Sequence, residues 1–303
     1  MIHVLGSINI DYGCQLQRLP GAGETVHASQ LDLTPGGKGA NQALAASRAG
    51  GDVIMHGAVG GDEVAAQALA LLKAAQVSLD DVRKVPGATG CAFVFVDARG
   101  ENQIVVLGGA NDAVSVDQAK DMSIANDDTL LLQLEVPLPC VEAAAATAKQ
   151  KGARVIASLA PYYTMPESYF ENVDVLLVNQ SEAELLCTDL KLNPSAEQTP
   201  AALAKRLGCS TIQTLGARGL QGFDITIDQA FELPGIKVDA IDTVGAGDTF
   251  AGYLGAMMDR ERSLQNSCKI ANAAAAFACT RPGAQSAIPP IAELGELVGA
   301  HAD

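Results

Sequence analysis

Short apolar runs separated by amphipathic stretches set the rhythm of this chain. Residues 2–8, 53–59, 129–134, 154–159, 173–178 and 211–215 are each dominated by aliphatic side chains. Runs of that length without polar alternation predict strands buried on both faces of a parallel sheet. Between them, 38–49, 63–75, 139–151, 181–187 and 200–207 carry apolar residues at helical spacing, and Gly50-Gly51 supplies a helix stop. The later segments 246–260, 264–280 and 290–300 are predicted to be helical, after a strand-like stretch at 236–241. Such alternation specifies an α/β fold, with helices on both faces of a mostly parallel central sheet.

Two stretches break the rhythm. Residues 12–34 mix short polar and apolar alternation with Pro20, Gly21 and Gly23, and 91–107 read as two strands around the turn Asp97-Ala98-Arg99-Gly100. Both interrupt the main pattern. They are expected to form a small discontinuous β-sheet over a cleft, inserted into one domain spanning 1–303, although an ordinary edge hairpin would give the same pattern.

Composition narrows the function classes. The chain has 303 residues, 48% of them apolar, and a net charge of −15. A core is affordable in size, and nucleic acid or an anionic membrane is a poor partner for so acidic a protein. An anionic ligand must therefore be held locally, by backbone amides or a few cations. The 7 cysteines are scattered without a Cys-x-x-Cys, and His3, His27, His56 and His301 do not cluster along the sequence. A cytoplasmic protein with neither a disulfide framework nor a zinc cage is expected.

The sharpest chemical signal is Asp242-Thr243-Val244-Gly245-Ala246-Gly247-Asp248, at the start of the predicted helix 246–260. Glycines at a helix start leave N–H groups uncovered, and the helix dipole favours negative charge there. Asp248, in that first turn, is placed to take a proton from a hydroxyl that attacks a phosphoryl group held by those amides. The competing role is helix capping. A second glycine-rich helix entry, Pro35-Gly36-Gly37-Lys38-Gly39-Ala40-Asn41-Gln42, is not a Walker loop, because Gly39 stands where Ser or Thr would follow the lysine. Asn9-Ile10-Asp11 follows the first strand, and Gln133-Leu134-Glu135 ends another. Asn179-Gln180-Ser181-Glu182 and Thr214-Leu215-Gly216-Ala217-Arg218-Gly219 also lie at predicted strand ends, where open parallel sheets bind ligands.

In type, order and separation these motifs, with the tail Thr280-Arg281-Pro282-Gly283-Ala284-Gln285, resemble the ribokinases of the PfkB carbohydrate kinase family. The resemblance covers essentially the whole chain. It implies a ribokinase-like three-layer α/β/α sandwich with a β-sheet lid formed by 12–34 and 91–107. It implies ATP-dependent phosphorylation of the 5-hydroxyl of D-ribose, with Asp248 as base and Gly245, Ala246 and Gly247 as anion hole. Asn9, Ile10, Asp11, Gly37, Lys38, Gly39, Ala40, Asn41 and Glu135 would bind the sugar. Asn179, Thr214, Leu215, Gly216, Ala217, Arg218, Gly219, Gly247 and Asn272 would face ATP, with Glu182 serving Mg2+. A K+ ion would use Asp242, Val244, Ala278, Arg281 and Gly283, and the lid would form a homodimer.

The chain departs from the pattern at Ala287, where a serine often stands, and at Asn272, where a histidine often does. Ser158-Leu159-Ala160-Pro161 replaces Asn-Pro-x-Pro, and Tyr12 adds bulk beside Asp11. These departures bear on the acceptor, which the resemblance leaves open to another sugar or a nucleoside. A non-catalytic sugar sensor would have lost the base or the glycines, and both are present. A dinucleotide-dependent dehydrogenase would need a Gly-x-Gly-x-x-Gly, which the chain lacks.

Overall fold

The computed structural model describes residues 1–99, 101–260 and 262–295. In chain order its strands are β1 (Ile2–Leu5), β2 (Asn9–Gln15), β3 (Gln30–Gly36), β4 (Val53–Val59), β5 (Val82–Lys84), β6 (Gly90–Val96), β7 (Asn102–Leu107), β8 (Thr129–Leu132), β9 (Arg154–Ser158), β10 (Val175–Asn179), β11 (Ser210–Thr214), β12 (Gly219–Asp224) and β13 (Gln229–Pro234). A nine-stranded sheet runs β13-β12-β11-β10-β9-β8-β1-β4-β5, and a separate four-stranded sheet runs β3-β2-β6-β7.

In the large sheet β5, β4, β1, β8, β9, β10 and β11 are mutually parallel, and β12 and β13 close one edge antiparallel. The apolar runs fill both faces because successive side chains point to opposite sides. Val4, Leu131, Ile156, Leu177 and Ile212 feed one core. Leu5, Leu130, Leu132, Val155, Leu176 and Val178 feed the other. Helices Lys38–Arg48, Ala246–Asp259 and Leu264–Ala278 cover the first face, and Leu138–Gln150, Gln180–Asp189 and Thr199–Leu207 cover the second.

Small residues set how closely these helices approach. A Cβ on Gly252 would lie 2.4 Å from the Gln42 carbonyl oxygen, and one on Gly255 would lie 2.8 Å from the Leu131 side chain. The Ala246–Asp259 helix can thus rest against both the Lys38–Arg48 helix and the sheet. That contact brings the two glycine-rich motifs together.

The small sheet is the expected lid, and it starts earlier than the sequence pattern implies: β2 begins at Asn9, within the polar cluster after β1. Its turn residue Gly100 lies outside the described residues.

Several expectations need correction. Residues 236–241 form no strand; the segment is largely exposed, with Ile241 at 70%, and its apolar alternation finds no neighbouring ladder. The helix expected at 63–75 is divided into Ala65–Ala68 and Ala70–Ala74. Of 290–300, Ile291–Leu294 is a 3-10 turn, and 296–300 lie outside the described residues. The β12–β13 hairpin escapes the sequence pattern because β12 is interrupted by Gln221 and by Gly222, which packs against the Phe231 ring. His3 and His56, far apart in sequence, meet in the core with ring nitrogens 2.9 Å apart, and burial pushes His56 down to about 3.

Candidate active site

Asp248 sits in the first turn of the Ala246–Asp259 helix and is buried. Its N-cap, Gly245, has φ 75°, a left-handed conformation that glycine adopts without a Cβ penalty. The turn aims the helix start at a cleft of about 230 Å3 that Gly245, Gly247 and Asp248 line together with Lys38, Asn179, Glu182 and Thr214. First-turn N–H groups have no intrahelical acceptor, so this end of the helix offers donors and partial positive charge. A Cβ on Gly247 would meet nothing within 4 Å, so space remains open directly over that turn.

The Lys38–Arg48 helix supplies the other wall. Asn41 Nδ2 donates to Asp248 Oδ2 at 2.9 Å, and Gln42 Nε2 donates to Oδ1 at 3.1 Å. These two amides fix the carboxylate in orientation, and Gln42 is in turn held by Gln133 Nε2 at 2.7 Å. Gly37, with φ 89°, and Gly39 let the helix start lie on the end of β1: a Cβ on Gly39 would be 2.5 Å from the Gly6 carbonyl carbon. Glu135 accepts from Ser7 Oγ at 2.6 Å and from the Lys38 backbone N–H at 3.1 Å.

The site gathers acids around a single lysine. Asp248, Glu135, Glu182 and Asp11 all raise the Lys38 ammonium above its ordinary value, with Asp248 the strongest, against the opposing effect of burial. Burial, reinforced by Glu135 and Asp248, pushes Asp11 up to about 7. Burial also raises Glu182, opposed by the Asn179 N–H and by Lys38. Asn179 and Glu182 form a reciprocal capping box at the start of the Gln180–Asp189 helix.

Two acceptor atoms in this cluster lack donors: Asp11 Oδ1 and Asn41 Oδ1 are buried and unpartnered. Buried acceptors are rarely left so in the absence of a ligand or water. Asn9 is held by Asn111, whose Nδ2 donates to Asn9 Oδ1 at 2.7 Å and whose Oδ1 accepts from the Ile8 N–H. Asn111 was not singled out from the sequence; the Gly108-Gly109 pair just after the lid hairpin is the signal that marks it.

Tyr12 does not crowd Asp11. Neighbouring residues of β2 point to opposite faces, and Tyr12 stacks on Phe93 at 5.1 Å on the face away from Asp11. Of the loop 214–219, Thr214 lines the cleft at Asp248, whereas Leu215 and Arg218 line a separate cleft. Asn272 donates to the Pro234 carbonyl at 3.0 Å.

Behind the helix start, Asp242 ties two loops together. It accepts from the Val244 N–H at 3.0 Å and the Gly283 N–H at 2.8 Å, while the Ile241 N–H donates to the Cys279 carbonyl at 2.7 Å. Ala287 is buried and brings no hydroxyl. Arg281 is turned to Glu293 and lies over the Phe277 ring, so its side chain is committed elsewhere. The Asp242 carboxylate and the backbone carbonyls of these loops are hard oxygen donors, the type that takes hard cations. Among the described residues no cluster of His, Cys, Asp and Glu has the form of a metal cage.

Residues 1–291 match the family profile described as pfkB family carbohydrate kinase. A ribokinase from Staphylococcus aureus is 34% identical over 301 residues, covering 97% of this chain and 98% of that protein. The structure of a ribokinase from Thermotoga maritima superposes with a TM-score of 0.91 at 29% identity, covering 99% of both chains. A ribokinase from Arabidopsis thaliana in complex with ribose and ATP superposes with a TM-score of 0.86 at 29% identity, covering 98% of both.

Proposed function

The chain belongs to the pfkB family of carbohydrate kinases, and we propose that it transfers the γ-phosphoryl group of ATP to the 5-hydroxyl of D-ribose. The observation that carries this reading is the pair of unpartnered acceptors, Asp11 Oδ1 and Asn41 Oδ1, buried in the cluster around Asp248. They ask for hydroxyl donors beside the group that takes a proton.

In this reading Asn9, Asp11, Lys38, Asn41 and Glu135, with the backbone of Ile10, Gly37, Gly39 and Ala40, hold the sugar hydroxyls. Asp248, held by Asn41 and Gln42, accepts the 5-hydroxyl proton as the sugar oxygen forms its bond to phosphorus and the bond to the ADP oxygen breaks. Charge on the migrating phosphoryl oxygens is met by the N–H groups around Gly245, Ala246 and Gly247 and by the Lys38 ammonium, donors already in place before reaction. Thr214 and Asn179, which line the cleft, face ATP in this reading, and the backbone of the loop to Gly219 with Asn272 takes the remainder of ATP.

Mg2+ would neutralise the phosphate charges when bound. Glu182, raised by burial beside Lys38 and Asp248, is the carboxylate that would serve it. K+ would add positive charge behind the helix start, held by the Asp242 carboxylate and backbone carbonyls of Val244, Ala278, Arg281 and Gly283. The lid face bearing Tyr12 and Phe93 is assigned to a second copy of the chain, and the free thiols suit a reducing cytoplasm.

A coupled assay of ADP release across pentoses, hexoses and nucleosides, with and without K+, tests the proposal. D-Ribose is expected to give the highest kcat/KM, and K+ to raise the rate. A nucleoside or another sugar ranking above ribose would reassign the acceptor while leaving the chemistry in place.

A further inference from the structure

A second cleft, of about 360 Å3, lies beside the Gln180–Asp189 helix and the start of the Thr199–Leu207 helix. Among the described residues, none lines both this cleft and the one at Asp248. Its floor comes from β11 and β12, where Gln213 and Gln221 stand directly opposite each other. Cross-strand partners project on the same face, so the two amides rise side by side. Gln213 is only 4% exposed, and the Oε1 atoms of both glutamines are buried without a donor.

A methionine of similar length would fill this space with no unpaired acceptor, so packing alone does not account for two glutamines here. At the mouth, Arg218 Nη2 donates to Gln180 Oε1 at 2.8 Å, and Gln180 Nε2 donates to Glu184 Oε1 at 3.1 Å. The cleft therefore presents two amide oxygens without donors and a carboxylate whose donor is the neutral Gln180 amide, with one guanidinium beside them. An ammonium group brings three N–H donors and a positive charge to the acceptors, and a carboxylate matches the guanidinium.

We propose that this cleft binds a small zwitterion of the α-amino-acid type, with its ammonium on Gln213, Gln221 and Glu184 and its carboxylate toward Arg218. The volume suits a small metabolite. Occupancy reaches the nucleotide elements by short covalent links. Gln180 follows Asn179 of the capping box, and Arg218 belongs to the loop that begins at Thr214, both at the catalytic cleft. A bound zwitterion thus shifts the KM for ATP; this coupling rests on the kinase reading, and the binding itself does not.

The test is calorimetric titration of the 303-residue protein with each of the common L-amino acids, with 1,4-diaminobutane and succinate as controls that carry charge of one sign only. At least one amino acid is expected to bind with a Kd of about 1 mM or tighter and to shift the KM for ATP about fivefold or more. The Gln213→Met/Gln221→Met variant is expected to weaken that binding tenfold or more, abolish the KM shift and keep or raise Tm. Absence of binding by every amino acid overturns the proposal, as does unchanged binding by the variant. A variant Tm several degrees lower also overturns it, because the glutamines would then be structural. Diaminobutane or succinate binding as tightly as the best amino acid removes the zwitterion. Amino-acid binding by a protein that releases no ADP keeps this site and removes the kinase reading instead.

Discussion

Asp11 is the residue whose environment makes the most specific demand. Its carboxyl is raised to about 7 by burial and by Glu135 and Asp248, above its ordinary value of 3.8. In the free protein it takes up a proton on folding between those values, so its contribution to stability is present below pH 3.8 and is lost as pH rises toward about 7. In the proposed role of Asp11, sugar hydroxyls donate to the ionised form and bind best above that value. The kcat/KM for sugar is therefore expected to rise with pH to about 7 and then level off. Asp11→Asn should remove that limb and raise the sugar KM by about ten- to a hundredfold, the loss of a hydrogen bond to a charged group. A pH–rate profile of both proteins checks this; an unchanged acid limb in Asp11→Asn would assign it to another group. At this scale the motifs made Asn9, Asp11, Lys38, Glu135 and Asp248 legible as candidates. The sequence was silent on residues that hold those residues in place. Asn111 and the link from Gln133 to Gln42 depend on side chains brought together only by the packed fold.

At the scale of the element, the start of the Ala246–Asp259 helix is the part proposed to carry the chemistry. Gly247 has open space over its Cα and an ordinary helical position. Gly247→Ala is expected to fold and to gain about 0.5–1 kcal/mol from helix propensity, while its methyl group occupies the space meant for the phosphoryl group. Thermal unfolding should show an equal or higher Tm, and kcat should fall by about tenfold or more, as for loss of part of an anion hole. A normal kcat would show that the phosphoryl group lies elsewhere. Most buried strands and the long helices were legible to within a residue or two, because their apolar pattern is the packing itself. Residues 236–241 deceived the pattern because β-branched residues alternate there without a partner strand. Gly219–Asp224 hid from it because a glycine packed under Phe231 replaces an apolar side chain.

For the whole molecule, the lid is the part whose surface needs explanation. On its face away from Asp11, Leu31, Val105 and Leu107 are 57%, 56% and 50% exposed, in line with the Tyr12–Phe93 stack. A contiguous apolar patch of this kind marks an interaction surface, and a second lid offers the same chemistry. Light scattering of the eluting protein is expected to give a dimer, and Leu31→Glu/Val105→Asp a folded monomer; a wild-type monomer would leave the lid face to another partner. The lid was legible as two interruptions of the strand–helix rhythm. Its parallel β2–β6 pairing was not, since nothing local encodes a contact between strands so far apart in the chain.

The claim on which the account rests is that Asp248 takes the sugar's proton while the adjoining helix start holds the phosphoryl group. Measuring both sugar binding and single-turnover phosphoryl transfer in Asp248→Asn tests it most directly. Sugar affinity within a few-fold of wild type, with transfer slower by about a hundred- to ten-thousandfold, is the expected result. Transfer at the wild-type rate would contradict it.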